Sequence, residues 1–402
     1  MEKKIKVLVN SSTYQEKIDD KVTDVINNLV DSLVEVNNLL EFYILKPMGP
    51  YGNKVIDHEN YKIFSYRYSF PKTTQTFHET GIIPSIKKNK FNTIKLFFLF
   101  ISQFLSLLKL SYKIKPDYIY AHWVLPQALI SSVVCKIFSI KLIFTTHGAE
   151  VLMLNKIKFL NKFLLNFILK NTYKFTANSH LTMSQITENT NSKYFENKKK
   201  VIPMGIKDIF FSGSGISKKY TSNNFLYIGR LVDYKGVDLL IDCMDLLNNE
   251  NYKFKLDILG SGIEEKDLKE KVRTLNLSKN ILFHGFKNLS QKIEFYKKSD
   301  VTFIPSLISN ERLEGGPLTL IEAMSQKNIC IVSDSVGFSS YLNNENCILF
   351  ESGNLESLYK ATIQYLEMNE NERNIMGEEA YKTAEFFKFI NIARIHNNFL
   401  FS

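Results

Sequence analysis

Cysteine is scarce in this sequence, and its positions follow no pattern. Only four cysteines occur in 402 residues, each in or beside an apolar stretch: Cys135, Cys243, Cys330 and Cys347. This arrangement indicates buried free thiols in a reducing compartment, and it argues against a disulfide framework or a cysteine metal site. The N-terminal run MEKKIKVLVN is strand-like and does not have the pattern of a signal peptide, so we expect a cytoplasmic protein.

Metal-binding patterns are also missing. The chain contains no Asp-x-Asp motif and no histidine or cysteine spacing typical of metal ligands. It has no tandem repeat and no low-complexity tail. We therefore expect no metal site.

Strand-like and helical patterns alternate along the whole chain, and 402 residues are too many for one ordinary core. The strand-like runs are residues 5–9, 41–45, 118–121, 141–145, 174–177, 224–228, 255–259, 281–283, 301–304 and 329–332. The helical patterns of the first half are residues 21–39, 94–111, 126–138 and 155–170. Strands separated by helices predict parallel sheets covered on both faces.

The division into domains follows from a polar interruption at residues 189–200, after which VIPMGI (201–206) is expected to form a short strand leading into a linker. We predict an α/β protein with two doubly wound domains facing across a cleft. The first comprises residues 1–205 and the second residues 206–385. A C-terminal helix, residues 386–402, is expected to pack back on the first domain.

Positive charge is concentrated in the first half. Residues 1–200 carry 28 Lys and Arg against 15 Asp and Glu, a net charge of +13, and the remainder carries 51 − 28 = 23 against 41 − 15 = 26, a net charge of −3. A cluster lies at Lys87, Lys88, Lys90 and Lys95. This asymmetry predicts an anionic partner, either nucleic acid or a membrane surface.

The stretch 94–110, IKLFFLFISQFLSLLKL, favours the membrane over nucleic acid, which we do not expect as a partner. It is apolar and aromatic beside a basic flank, which is typical of interfacial helices. Ser102, Gln103 and Ser106 interrupt it, and it is shorter than the ~20 residues that a membrane span needs. The alternative is a buried core helix of the first domain.

A segment at 311–324, ERLEGGPLTLIEAM, predicts a site for a phosphorylated ligand. The glycine pair Gly315-Gly316 lets the backbone approach a ligand closely. We expect Pro317 to occupy the first position of a short helix, whose N–H groups would bind an anion. The carboxylates of Glu314 and Glu322 would receive hydroxyl groups, unless both are ordinary surface charges.

Two further segments follow predicted strands, where ligands bind in doubly wound sheets. IGRLVDYKG (228–236) presents Arg230 and Lys235, suited to holding a diphosphate or else solvated on the surface. ILGSG (258–262) holds Gly260 and Gly262 at a turn, where they serve a ligand or only tight packing.

Two histidines follow successive strands of the first half. YAHWVLPQAL (120–129) contains His122 and the single tryptophan, Trp123. FTTHGAEV (144–151) contains His147. A single histidine is more often structural, but two at the carboxyl ends of neighbouring strands predict a functional site.

Taken in order and spacing, IGRLVDYKG, ILGSG, HGF (284–286) and ERLEGGPLTLIEAM resemble the retaining glycosyltransferases of family four. Glu314 and Glu322 match the E-x7-E signature of that family. YAHWVLPQAL and TTHGAEV resemble its acceptor-side domain. The resemblance covers nearly the whole chain and implies the GT-B fold, which has two Rossmann-like domains facing across a cleft.

Roles follow from the resemblance, residue by residue. Arg230 and Lys235 would bind the diphosphate of a nucleotide sugar and stabilise the charge left when the sugar departs. Glu322 would accept hydrogen bonds from the ribose, and Glu314 would contact the sugar. The remaining donor-binding positions that it implies are Gly229, Gly260, Gly262, Gly315, Gly316, Pro317 and Leu318.

On the other domain the resemblance places His147 near the sugar and the β-phosphate, and His122 and Trp123 on the acceptor side. One departure concerns the loop after the first strand, which reads NSSTYQEK (10–17) where family members often have a Gly-Gly turn. Glycine appears instead at Gly81, in HETGIIPSIKK (78–88), which resembles an acceptor-side loop of some members.

The implied activity is metal-independent sugar transfer from a nucleotide diphosphate sugar, with no cofactor beyond that donor, to a glycan or lipid-linked acceptor of a bacterial surface polysaccharide. The expected location is the cytoplasm, at the inner face of the plasma membrane if the basic segment binds lipid. Three alternatives stay open: an epimerase on the same fold, a non-catalytic nucleotide-sugar-binding protein and a glycosidase. The glycosidase is disfavoured because it has no use for diphosphate-binding cations.

Overall fold

Two compact units make up the chain, residues 1–205 with 389–402 and residues 206–388. The computed structural model describes residues 3–15, 24–49, 54–58, 60–71, 74–75, 77, 92–148, 151, 158–188, 190–212, 218–220, 223–308 and 314–402. Each unit has a largely parallel sheet with helices between its strands, so the predicted doubly wound α/β class is confirmed. The second unit reaches Lys388, beyond the predicted limit of 385, and the C-terminal helix belongs to the first unit.

The first unit has an eight-stranded sheet of order β3-β4-β2-β1-β5-β6-β7-β8, parallel except that β3 is antiparallel to β4. Its strands are β1 (Ile5–Asn10), β2 (Leu40–Pro47), β3 (Val55–Asp57), β4 (Tyr61–Tyr66), β5 (Tyr118–His122), β6 (Lys141–Thr146), β7 (Thr172–Ala177) and β8 (Lys199–Val201). The prediction omitted β3 and β4 and placed the last strand at 201–206, where only its first residue is correct. Edge strands of three residues, such as β3 and β8, are too short for a periodic signal.

The second unit has a six-stranded parallel sheet of order β11-β10-β9-β12-β13-β14. Its strands are β9 (Asn224–Ile228), β10 (Lys255–Leu259), β11 (Ile281–Gly285), β12 (Val301–Ile304), β13 (Ile329–Ser333) and β14 (Ile348–Phe350). Every residue of β12 and β13 is buried, which explains their unbroken apolar sequences. Only the short edge strand β14 was not predicted.

Helices cover these sheets. They are α1 (Val25–Val36), α2 (Asn92–Ile114), α3 (Leu129–Phe138), α4 (Lys158–Lys170), α5 (His180–Thr187), α6 (Val237–Asn249), α7 (Glu265–Thr274), α8 (Leu289–Lys298), α9 (Leu318–Met324), α10 (Leu355–Glu367), α11 (Glu370–Phe386) and α12 (Phe389–Leu400). A capping box between Asn288 and Gln291 fixes the start of α8. The four cysteines are buried and unpaired, as predicted.

Helix α2 differs from the predicted stretch in length and in burial. It has 23 residues, so the prediction that it is too short to span a membrane was wrong. One face is in the core, where Gln103 donates to Asn10 over 2.8 Å. The opposite face exposes apolar side chains: Ile94, Phe97, Phe98, Ile101 and Leu105. The core-helix interpretation therefore explains only one face of α2.

Candidate active site

The sheet of the second unit reverses its direction of growth beside β9, and this reversal locates the candidate site. The chain adds β10 and β11 on one side of β9 and then β12, β13 and β14 on the other. In open α/β sheets such a reversal leaves a crevice between the loops after two strands, where ligands bind. Arg230 and Lys235 follow β9, and Glu314 follows β12. The structure thus brings together the predicted cations and the predicted carboxylate.

Lys235 and Glu314 form an ion pair at this point, and each side chain is only 15% exposed. The short turn before Gly236 (φ +67°) positions the lysine. A Cβ at Gly236 would lie 1.9 Å from the carbonyl oxygen of Pro305, so the loop after β9 packs tightly on the loop after β12. A pair held in this way can exchange partners when a ligand arrives, the ammonium for a diphosphate and the carboxylate for hydroxyl groups.

Arg230 is exposed, and its guanidinium donates to the hydroxyl of Tyr234. A guanidinium has five N–H donors in a planar fork, so this bond leaves donors for an anion. The two cations predicted to hold a diphosphate thus lie on one loop, with Tyr234 between them in sequence.

Glu322 is buried on α9, where two side chains of α8 satisfy its charge. Lys292 Nζ donates to its Oε2 over 2.6 Å and the Tyr296 hydroxyl over 2.8 Å. Burial and the neighbouring carboxylate raise the pKa of Tyr296 well above its usual value, which keeps it a donor. Sequence analysis did not identify Lys292 and Tyr296, although their spacing of four residues places both side chains on one face of a helix.

The glycines after β9 and β10 are required by backbone packing. A Cβ at Gly260 (φ +130°) would lie 1.8 Å from the carbonyl oxygen of Gly229, and one at Gly262 1.9 Å from that of Leu231. At Gly229 itself it would lie 2.6 Å from the Tyr227 hydroxyl. Close approach of the two loops therefore accounts for Gly260 and Gly262, and the Tyr227 hydroxyl accounts for Gly229, whether or not a ligand is bound.

The segment after Glu314 departs from the prediction at Pro317. This residue has an extended ψ of 106° and precedes the helix, which begins at Leu318 and has seven residues. A Cβ at Gly316 would lie 2.5 Å from the ring of Phe338, while the Gly337 N–H donates to the carbonyl oxygen of Glu314 over 2.8 Å. The absence of a Cβ at Gly316 thus lets this segment pack on the loop after β13.

In the first unit, neighbouring strands bring the two predicted histidines together. His122 ends β5, His147 follows β6, and Nδ1 of His122 lies 3.3 Å from Nε2 of His147. The Trp123 ring lies 4.9 Å from that of His147, on a backbone with φ +76°. His122 is fully buried, whereas Trp123 and His147 are partly exposed, so the acceptor-side role implied for His122 stays a prediction.

A third histidine, which sequence analysis did not single out, joins this cluster from α12. His396 is fully buried, and burial lowers its pKa to about 3. Burial also lowers the pKa of His147 to about 4 and that of His122 well below its usual value. All three are therefore neutral at neutral pH. Nothing in the local sequence IARIHNN marks His396, because its neighbours come from distant strands.

Some predicted features lie elsewhere or outside the described residues. Gly81, Lys87, Lys88 and Lys90 fall outside them. Among the residues that the structure describes, no group of three or more His, Cys, Asp or Glu could hold a metal ion. A cavity of about 700 Å³ lies at the amino ends of β1, β5 and β6, lined by Tyr112, Lys115, Tyr118 and Lys141 among others, opposite the histidine end of that sheet.

Comparison with known proteins gives two family matches. Residues 213–383 match the model described as glycosyl transferases group 1, and residues 71–179 match the model described as glycosyl transferase 4-like. An uncharacterised glycosyltransferase of Methanocaldococcus jannaschii is 27% identical over 68% of this chain and 72% of its own length. The capsular polysaccharide biosynthesis glycosyltransferase CapM of Staphylococcus aureus is 24% identical over 60% of this chain and 65% of its own length.

The fold has a close counterpart among solved structures. The Anabaena protein HepE, crystallised in complex with UDP, superimposes with a TM-score of 0.71 at 15% identity, over 98% of this chain and 99% of that one. Other curated glycosyltransferases match over shorter stretches, covering 46% and 27% of their own lengths in two cases. The likeness in structure therefore extends further than the likeness in sequence.

Proposed function

Since the chain belongs to the family-four glycosyltransferases, which have the GT-B fold, we propose that it transfers a sugar from a nucleotide diphosphate sugar to a glycan or lipid-linked acceptor, with retention of configuration and without a metal ion. The observation that carries the proposal is the Lys235–Glu314 pair at the reversal of the second sheet. At that point the ammonium of Lys235 is suited to binding the negatively charged diphosphate of a nucleotide sugar. The carboxylate of Glu314 is suited to accepting hydrogen bonds from the hydroxyl groups of the sugar.

The proposed reaction proceeds on one face of the sugar. The bond from the anomeric carbon to the diphosphate breaks while the acceptor oxygen bonds to that carbon from the same side, and the acceptor proton passes to the departing phosphate oxygen. Arg230 and Lys235 neutralise the charge that develops on the diphosphate, which is the role a metal ion fills elsewhere. No protein side chain forms a bond to the sugar in this scheme.

Other side chains complete the proposed donor site. Glu322, oriented by Lys292 and Tyr296, accepts hydrogen bonds from the ribose. Ile263 and Phe286, in the loops after β10 and β11, are 87% and 83% exposed and offer apolar surface for the base. HepE was crystallised with UDP, so a uridine diphosphate sugar is the first donor to test.

A thermal-shift panel of UDP-, GDP- and ADP-sugars tests donor binding, since a ligand at 100 times its Kd stabilises the fold by ~2.7 kcal/mol. The stabilising donor is then incubated with candidate acceptors, and NMR identifies the anomer of the product. A glycoside with the anomeric configuration of the donor is expected. An altered sugar still attached to nucleotide would show an epimerase, and stabilisation without turnover of any acceptor would favour a non-catalytic binding protein.

Glu322→Gln is expected to raise the KM for the donor about tenfold while kcat stays near that of the native enzyme. The ribose contact is similar in the ground and transition states, so its loss weakens binding uniformly. A hydrogen bond to a charged group contributes about 1.5 kcal/mol, which corresponds to that factor. Steady-state kinetics with the identified donor measure both constants, and a large fall in kcat would contradict the assigned role.

We further propose that the acceptor belongs to a surface polysaccharide and that the enzyme works at the inner face of the plasma membrane. CapM acts in capsular polysaccharide biosynthesis, which supports this acceptor class. Helices α2, α3 and α4 support the membrane contact. α3 packs between the other two, and further exposed apolar side chains on these helices are Tyr112, Val133, Ile137 and Phe163. We call this surface the α2–α4 face.

The charge of the α2–α4 face favours anionic lipid over a second copy of the chain. The sequences of the three helices contain seven lysines and no aspartate or glutamate. Two such faces would repel each other in a symmetric dimer, whereas an anionic bilayer attracts them. Of the described helices, only α2 is long and apolar enough to cross a membrane. We propose that α2 lies on the bilayer, because Gln103 holds its other face against Asn10 of the sheet.

Lys109→Gln with Lys113→Gln is expected to lower partitioning onto anionic vesicles about 30-fold, since each lysine near such a surface contributes ~1 kcal/mol. Phe97→Ser should lower it as well, because that side chain is 62% exposed on the same face. Ile375→Ser, at an apolar position of the second unit that is 56% exposed, serves as the control. Co-sedimentation at low salt measures the effect. A native protein that ignores the vesicles, or that dimerises through Phe97, would contradict the proposal.

A further inference from the structure

In the first unit His122 is more deeply buried than His147, and its side chain has a single polar partner among the described residues. Its Nδ1 is 3.3 Å from Nε2 of His147, while its own Nε2 has no hydrogen-bond partner in that part of the chain. The side chain has no exposed surface, so bulk water does not satisfy it. We therefore assign the protons on the two rings by asking which tautomers leave no buried N–H without an acceptor.

Only one arrangement of protons leaves no N–H of His122 without a partner. A neutral imidazole carries one proton, and the contact needs exactly one proton between the two rings. If His147 donated, His122 would carry its proton on the buried, unpartnered Nε2, and an orphaned buried donor costs about 1–3 kcal/mol. If His122 donates from Nδ1, only a lone pair is left without a partner, which is tolerated more readily than an orphaned N–H.

The surroundings keep both rings neutral. His396 of α12 faces the pair, and a positive charge on any of the three rings would repel a charge on the others. The positive charge of Lys200, on β8, also lowers the pKa of His396. Tyr120, whose ring lies 4.4 Å from that of His122, uses its hydroxyl on Thr145 at 2.7 Å. None of these groups stabilises an imidazolium.

We infer that His122 is a positioning residue that holds His147 in the tautomer protonated on Nδ1. The lone pair of His147 Nε2 is then taken by His122, so this nitrogen does not remove a proton from a ligand. A role of the Nδ1 proton toward the sugar or phosphate of the donor rests on the proposed function, whereas the tautomer does not.

Two variants with the same number and branching of side-chain heavy atoms test the inference. His122→Asn keeps an N–H donor close to the place of Nδ1, and His122→Leu removes it. Two-bond ¹H–¹⁵N correlation spectra distinguish the tautomers of a ring, and His147→Gln identifies its signals. The native protein and His122→Asn are expected to show His147 protonated on Nδ1, and His122→Leu a mixture. Turnover is expected to fall about tenfold in His122→Leu, the effect of one hydrogen bond, and to recover largely in His122→Asn.

The outcomes separate this inference from the proposed function. If His147 of the native protein is protonated on Nε2, the inference is overturned. This measurement uses no variant, so its result does not depend on whether a variant folds. Equal turnover of His122→Leu and His122→Asn, both folded, overturns the positioning role. The expected tautomer in a protein that turns over no nucleotide sugar would leave the inference standing and defeat the proposed function.

Discussion

Replacing Lys235 by methionine is expected to lower kcat about a hundred- to a thousandfold. In the proposed reaction the barrier falls mainly because charge on the leaving diphosphate is neutralised, and removing one preorganised donor to a developing charge costs ~2.7–4 kcal/mol. Lys235 already lies at the reversal of the second sheet, paired with Glu314, before a donor binds. Methionine keeps an unbranched apolar side chain and removes the terminal ammonium, with its charge and its N–H donors.

Two controls separate catalysis from stability. Lys235→Met leaves the carboxylate of Glu314 without its partner, so the variant Lys235→Met with Glu314→Gln measures what that charge costs the fold. Lys360→Met removes a lysine that is likewise paired with a carboxylate, that of Glu356, within helix α10. It should keep native turnover. Near-native turnover of folded Lys235→Met would rule out the proposed charge neutralisation.

Gly260→Ala is expected to destabilise the second unit by about 2–6 kcal/mol and to abolish donor binding. Alanine at φ +130° is strained by ~1–3 kcal/mol, and its Cβ would lie 1.8 Å from the carbonyl oxygen of Gly229. Relieving such an overlap typically costs a further ~1–3 kcal/mol. Since Gly229 precedes Arg230, any backbone shift that relieves the overlap also moves the guanidinium.

Gly353→Ala is the matched control for this substitution. Gly353 also has a positive φ, +74°, but a Cβ there would meet nothing within 4 Å. Only the backbone strain remains, about 1–2 kcal/mol, and donor binding should be retained. Chemical denaturation measures the stabilities and the thermal-shift panel the binding. Equal losses in the two variants would show that the contact between the loops after β9 and β10 is unimportant.

The predictable part of the site lay in short motifs at the ends of strands. Arg230 and Lys235, and the two histidines, each follow a buried apolar run, and parallel strands bring their carboxyl ends to one edge. The partners of these residues were much less predictable. Lys292 and Tyr296 reach Glu322 from another helix, and His396 reaches the histidine pair from the last helix of the chain. Such partners depend on packing between segments far apart in sequence.

For helix α2 as well, the sequence predicted the element but not its surroundings. Its apolar sequence fits equally a core helix and an interfacial one, because both bury apolar side chains and differ only in what covers them. Tertiary structure shows that Gln103 faces the sheet while Phe97 and Phe98 face outward. Pro317 illustrates the limit at the scale of one residue, since helix boundaries are defined only to within a residue or two.

By itself the sequence determined the fold class, the positions of most strands along the chain and the family, because hydrophobic periodicity and short motifs are local properties. Tertiary structure decided which charged side chains are paired and which glycines are required by close backbone contact. It also decided which of the two neighbouring histidines is fully buried. Those features depend on distances across the sheet, as between Lys235 and Glu314, 79 residues apart. Local sequence does not encode such distances, since they arise only when the strands assemble side by side.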